Sequence, residues 1–182
     1  MACALTIGRA IGCKDAVGGL KAVYFGNFDS VGTITYDGSN TDEITTFGDA
    51  TATWFQYDLK GTSTFEQKIT VNQDNRTSFI DQTLTISLAK LDVVSHKELK
   101  LLMFARTHCV VETNAGDFFI MGLQYGAEVS DGGANIGAKL GDENGYSLIV
   151  TAQEKTFANF ITTSLTAALT AGATISSSQT TP

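Results

Sequence analysis

The sequence predicts a mainly β protein, a β-sandwich or barrel with one α-helix, a long hairpin and extended termini. Threonine, valine, isoleucine and aromatic residues gather in short runs between clusters of glycine, asparagine and aspartate, which is typical of strands and turns. The sole proline is Pro182, so no proline interrupts a strand pattern. The chain has 182 residues, of which 43% are hydrophobic, and this suffices to bury a core without disulfide bonds or metal.

The first four strand patterns are short and are separated by polar or glycine-rich turns. The clearest turn is Asp-Gly-Ser-Asn at residues 37–40, because each of these residue types favours turn backbone. The predicted strands cover residues 21–25, 31–36, 43–47 and 53–59.

A long hairpin follows, in which two alternating runs at residues 62–71 and 80–88 are joined by the polar loop 72–77. Alternation with period two gives each strand one buried and one wet face. We therefore expect a polar face formed by Thr64, Glu66, Lys68 and Thr70 on one strand and by Asp81, Thr83, Thr85 and Ser87 on the other.

One helix is predicted at about residues 95–106. Ser95 and Glu98 have the spacing of a capping box, in which each side chain accepts a hydrogen bond from the other residue's amide. Leu99 and Leu102 would lie on its buried stripe, and Arg106 would lie favourably at the C-terminal end of the helix dipole.

The remaining chain predicts strands at 108–112, 118–129 and 145–154, with a glycine-rich loop at 130–144. We expect this loop to contact neighbouring subunits through Gly132, Gly133, Asn135 and Gly137. The predicted organisation is an N-terminal arm at 1–19, a β-sandwich domain at 20–161 and a low-complexity C-terminal arm at 162–182, because the composition of the arms favours disorder in a lone subunit.

Composition and motifs argue against an enzyme. The net charge of −7 disfavours a nucleic-acid binder built on basic patches, and no apolar run is long enough to span a membrane. No nucleophile elbow, phosphate loop or zinc motif is present, so neither a catalytic residue nor a cofactor nor a metal site is predicted. The acidic stretch 37–43 lacks the order of a calcium loop. Three cysteines, Cys3, Cys13 and Cys109, are expected to be thiols.

The order of these elements resembles that of tail tube proteins of tailed bacteriophages. The resemblance covers roughly residues 20–161 and is carried by the stretches 54–58, 61–67, 95–100, 116–119, 145–148 and 158–160. It implies a structural subunit that forms hexameric rings, with the inner strands of neighbours joined into one barrel. The rings would stack into a hollow virion tube that conducts DNA to the host without sequence-specific binding. The subunit would be made in the host cytoplasm and would meet terminator, baseplate and tape measure proteins, but no membrane.

Three expectations follow from that resemblance. The eight polar hairpin residues would line the lumen, with Glu66 and Asp81 repelling phosphate and Lys68 as a partial counterweight. The arms and the glycine-rich loop would contact neighbours. Unprotected sheet edges would pair between subunits, since proline and charge are sparse.

Two alternatives remain open, namely another virion structural protein (a terminator, decoration or baseplate component) and a β-sandwich carbohydrate-binding module that uses Trp54 and Tyr57.

Overall fold

A computed structural model describes residues 7–12, 14, 17–59 and 62–177, and it confirms a mainly β fold with two sheets. The first half of the described chain contains β1 (Leu20–Asn27), β2 (Ile34–Tyr36), β3 (Glu43–Phe47), β4 (Thr53–Asp58), β5 (Thr64–Asn72) and β6 (Thr77–Ala89). The second half contains α1 (Val93–Leu102), β7 (Thr107–Thr113), β8 (Phe118–Met121), β9 (Glu128–Asn135), β10 (Gly145–Glu154), β11 (Asn159–Ile161), α2 (Leu165–Ala168) and β12 (Thr174–Ser176).

The two sheets differ in size and in the way their strands pair. The larger has eight strands in the order β12-β4-β1-β7-β8-β11-β3-β2, and its β11–β3 and β12–β4 pairs are parallel. The smaller has four strands in the order β5-β6-β10-β9, all antiparallel. The predicted long hairpin, β5–β6, is confirmed and forms half of the smaller sheet.

The larger sheet is buried on both faces, and β1 shows why. Its alternate residues point to opposite sides, so Val23 and Phe25 enter one core cluster while Ala22 and Tyr24 enter another. The first cluster fills the space between the two sheets and extends to α1, with residues from β1, β6, β7, β10 and α1. The second lies on the far side of the larger sheet and includes Trp54.

The helix begins two residues earlier than the sequence predicts, and its cap lies three residues earlier than the predicted one. The carboxylate of Asp92 accepts hydrogen bonds from the amides of Val94 (3.1 Å) and Ser95 (3.2 Å), so Asp92 is the N-cap. The predicted capping box of Ser95 and Glu98 is therefore wrong, since the amide of Ser95 already donates to Asp92. Asp92 lies three residues upstream of the predicted cap, and it satisfies two of the free amides in the first turn of the helix.

The C-terminal end of the helix is also earlier than expected. The helix ends at Leu102, and Arg106 lies outside it. The Arg106 guanidinium stacks 3.7 Å above the centre of the Phe28 ring, and its Nε donates to the carbonyl of Tyr125 at 2.5 Å. This arginine thus ties together two turns rather than completing a helix.

The predicted strand 118–129 is interrupted. It forms β8, a turn, and the start of β9, because Gly122 and Gly126 adopt positive φ angles of 70° and 78° that cannot continue a strand. A side chain at Gly122 would also place its Cβ 2.7 Å from the Ala127 amide nitrogen.

The C-terminal segment packs into the domain, contrary to the predicted arm from residue 162. Leu165 and Ala168 of α2 are buried in the second core cluster, and β12 extends the larger sheet beside β4. Ser164 caps α2 by accepting from the amide of Ala167 at 3.2 Å. Residues 178–182 lie outside the described residues. In the N-terminal arm, residues 7–12, 14 and 17–19 are exposed and belong to no strand or helix.

Candidate assembly surface

The eight polar residues predicted from the hairpin lie on one side of the smaller sheet. Thr64 pairs with Thr85, Glu66 with Thr83, and Lys68 with Asp81, so residues from both strands share this side. The side turned away from the first core cluster is called the polar face below. Its hairpin members are Thr64, Glu66, Lys68, Thr70, Asp81, Thr83, Thr85 and Ser87, all of them exposed or half-buried.

The polar face continues across two further strands. In register with β6, every second residue of β10 points to this side, and β9 adds a fourth strand at the edge. These additional members are Ser147, Ile149, Thr151 and Gln153 on β10 and Glu128 and Asp131 on β9. Alternation within the predicted strand 145–154 could have identified the β10 residues, whereas nothing local identified β9.

Hydrogen bonds order the middle of the polar face. The carboxylate of Asp81 accepts from the hydroxyl of Thr70 (2.6 Å) and from the side-chain amide of Gln153 (2.9 Å), so it links three strands. These two bonds, with a smaller contribution from the charge of Lys68, hold the pKa of Asp81 below its ordinary value. The face is therefore an ordered surface of hydroxyl, amide and carboxylate groups.

The strands of the polar face carry an acidic excess. Glu66, Asp81, Glu128 and Asp131 are negative and Lys68 is positive, which gives a net charge of −3 per copy. Beside them, Glu143 accepts a hydrogen bond from the hydroxyl of Ser87 at 2.8 Å.

Strand β9 corrects the predicted loop 130–144. Gly132, Gly133 and Asn135 belong to β9, and Gly137 lies in the turn that follows, where its φ is 71°. A Cβ at Gly132 would lie 2.8 Å from the Leu148 side chain and from the Ser147 carbonyl, so glycine permits close approach to β10. The glycines therefore serve strand pairing here, and the turn is reduced to residues 136–144.

Both edges of the smaller sheet lack a partner strand among the described residues. Strand β5 pairs only with β6, and β9 pairs only with β10. Neither edge contains proline, and nine exposed or half-buried residues of β5 form one of them. Such edges offer free backbone donors and acceptors to another strand.

The two edges differ in shape on the side opposite the polar face. At edge β9, a groove of about 360 Å³ runs between the strand and α1. This α1–β9 groove is lined by apolar groups of Leu99, Met103, Val129, Tyr146 and Leu148, among other residues. At edge β5, the hairpin extends beyond the core and leaves Ile69 and Val71 exposed at 55% and 59%.

The residues considered for other chemistry are structural. Trp54 is completely buried in the second cluster, so it offers no platform to a sugar, while the half-buried Tyr57 packs edge-on against Phe25. Burial raises the pKa of the Cys109 thiol to about 12, so this thiol is unreactive. Cys3 and Cys13 lie outside the described residues.

His108 and the acidic turn also have local roles. The ring of His108 is buried, contacts the carbonyl of Gly122 through Nδ1 at 2.8 Å, and accepts from the amide of Asp29 through Nε2 at 3.2 Å. Asp37 accepts from the amides of Ser39 and Asn40 and so closes its own turn. The described residues contain no group of three or more histidine, cysteine or acidic side chains arranged to hold a metal ion.

Comparisons with protein-family models, curated proteins and solved structures give no match to this chain. Within the described part of the chain, neither helix is long and apolar enough to cross a membrane.

Proposed function

We propose that this chain is the structural subunit of a bacteriophage tail tube, in which six copies form a ring and rings stack around a lumen that conducts DNA. The observation that carries the proposal is the smaller sheet, which combines an ordered polar face with two edges that have no partner strand among the described residues. Joining edge β5 of one copy to edge β9 of the next satisfies both edges and turns all the polar faces the same way. Repeated head-to-tail contacts of this kind close into a ring.

The directions of the strands are compatible with this closure. Neighbouring strands in the order β5-β6-β10-β9 are antiparallel, so β9 runs opposite to β5. A β9–β5 junction between copies is therefore again antiparallel, and the alternation continues unbroken around the ring.

The expected lumen is wide enough for duplex DNA. Six copies of a four-stranded sheet place twenty-four strands around the barrel. With strands about 4.8 Å apart and tilted by about 40°, the backbone circumference is about 150 Å and the diameter about 48 Å. Side chains on the polar face reduce the free width to about 35–40 Å, as sheet spacings of about 10 Å imply.

The charge of the polar face supports passage rather than binding of DNA. A ring of six copies would carry a charge of −18 on its inner strands, which follows from −3 per copy. Repulsion over a Debye length of about 8 Å keeps phosphate off the wall, so the duplex slides without attaching. The backbone of this wall is held in place by strand pairing.

Among the alternatives, the carbohydrate-binding module loses its main support because Trp54 is buried. Another virion component differs from a tube subunit in the geometry of its assembly. Electron microscopy of the assemblies therefore separates that alternative from a tube.

The test is negative-stain microscopy and light scattering of the purified protein. We expect hollow rods or stacked rings. The paired substitution Ile69→Lys with Val71→Lys places two charges on the exposed core-side positions of edge β5 and should leave folded single copies. Asp117→Lys is the matched control, because it changes the net charge equally at an exposed position in the turn between β7 and β8 of the larger sheet. Wild-type protein that stays in single copies at high concentration refutes the proposal.

The lumen assignment has its own test. Reversing Glu66 and Glu128 to lysine should leave tubes intact while DNA delivery from virions that carry the variant slows. The structure makes Glu128 a better partner for this test than Asp81, because Asp81 holds two hydrogen bonds that link strands. Delivery at the wild-type rate through intact tubes would exclude these residues from a lubricating wall.

A further inference from the structure

The row of residues across the smaller sheet constrains how two copies meet. One row of directly opposed residues crosses all four strands, from Glu66 at edge β5 to Glu128 at edge β9. Between them lie Thr83 on β6 and Thr151 on β10. If copies joined without stagger, Glu66 of one copy would face Glu128 of the next. Like charges directly opposite one another destabilise a strand pair. That register would also leave Ile69 and Val71 beyond the end of β9, exposed to water.

A closed barrel requires its strands to be staggered. In the eight-stranded barrel with a shear of 8 the stagger is about one residue per strand, which is about four residues over one copy of this sheet. An even stagger keeps every side chain on its own face. A stagger in one direction would place β9 of one copy beside residues that precede β5 in the next copy. The two edge strands would then no longer lie side by side.

The other direction brings complementary groups together. A second row of directly opposed residues runs through Thr64, Thr85, Ile149 and Asp131. Without stagger, Asp131 of one copy would therefore face Thr64 of the next copy. Moving β5 of the next copy along by four residues places its Lys68 opposite Asp131 instead. The same movement places Thr70 opposite Glu128. Nearly the whole of β5 then lies along the whole of β9, since these strands have nine and eight residues.

The opposite side of the sheet fits the same register. Ile69 lies between Lys68 and Thr70 but points to the core side, which brings it beside Val129 at the mouth of the α1–β9 groove. Val71, two residues further, lies on the same side but past Glu128, at the start of β9 and outside the groove. Of the two exposed apolar side chains of edge β5, Ile69 is thus the one that meets the apolar groove.

Resting on the proposed function, we infer that neighbouring copies pair β5 with β9 in a register staggered by four residues. Lys68 then lies opposite Asp131 on the polar face, while Ile69 packs at the mouth of the α1–β9 groove and Val71 covers the start of β9. The occupant of this groove is a second copy of the chain. The junction then has an apolar contact on the core side of the sheet and an ion pair on the polar face. It is incompatible with the unstaggered register, in which Glu66 would face Glu128.

Paired cysteines distinguish the two registers. In a background with Cys3 and Cys13 changed to serine, Lys68→Cys with Asp131→Cys should give disulfide-linked ladders of up to six copies after assembly and oxidation. Glu66→Cys with Glu128→Cys is the matched control. In the staggered register those two positions are four residues apart along the strands, about 13 Å, which exceeds the Cα separation of about 7 Å that a disulfide spans.

Altered charges provide a second readout without cysteine. Asp131→Lys, which would place like charges opposite one another at positions 68 and 131, should raise the concentration needed for assembly by about two- to fivefold, and adding Lys68→Gln should restore most of the loss. Rods or rings that crosslink through positions 66 and 128, or through neither pair, overturn the register and leave the proposed function standing. Protein that never assembles overturns both.

Discussion

Replacing Leu84 with alanine tests which side of the smaller sheet is the core. Leu84 is fully buried in β6, with Phe65 opposite it on β5 and Val150 opposite it on β10. Strand packing on both sides prevents easy collapse of the space left by the lost methyl groups. Buried Leu→Ala changes of this kind destabilise by about 2–5 kcal/mol. For a domain of this size, each kcal/mol lowers Tm by about 2–4 °C, so a loss of about 3.5 kcal/mol corresponds to about 7–14 °C.

The matched control is Thr85→Ala, one residue along the same strand and on the polar face. Thr85 is half-buried and should cost less than about 1 kcal/mol. Thermal and urea denaturation followed by circular dichroism should be measured in dilute single copies, because assembly adds its own stabilisation. Equal losses for the two variants, or a larger loss for Thr85→Ala, would refute the assignment of the faces.

Three further predictions concern local structure. Asp92→Ala should lower the urea-derived free energy of unfolding by about 1 kcal/mol through loss of the helix cap, and no change would contradict the cap. Burial holds the pKa of His108 below 6.5. As pH falls from 7 to 5.5, the unfolded chain gains a proton at His108 that the folded chain does not readily take up. The free energy of unfolding should therefore fall more in the wild type than in His108→Gln, and an equal pH dependence of the two proteins would contradict this. Gly122→Ala combines a positive φ with a clash against the backbone, so it should lower Tm more than Gly116→Ala, where φ is positive but the surrounding space is open. Equal losses of Tm would show that the clash at position 122 is relieved.

Alternation made the hairpin and its polar face predictable, because a strand with one buried and one exposed face has apolar and polar residues at alternate positions. Strand β9 could not be predicted in the same way. Its Asp131-Gly132-Gly133 composition favours a turn, and only pairing with β10 holds it extended. Tertiary contact therefore decided the conformation.

The C-terminal segment shows a second limit of local reasoning. Its many threonine, serine and alanine residues favour disorder, yet Leu165 and Ala168 are buried in the second core cluster. A serine before Leu165 marks a helix start, but four helical residues give no periodic pattern. The helix cap failed for a simpler reason, since both Asp92 and Ser95 are competent caps and the sequence does not rank them.

The unlike edges of the smaller sheet have a consequence for which assemblies are populated. In the proposed ring an edge β5 joins an edge β9, so an arc of any length still presents one edge of each kind. An open arc of six copies would have five junctions, and closure would add the sixth within the same arc, at an effective concentration far above that of free copies. Arcs of two to five copies should therefore be scarce at equilibrium. A complete ring of this kind would have no edge left to recruit a seventh copy in its plane, so further growth would proceed only along its axis.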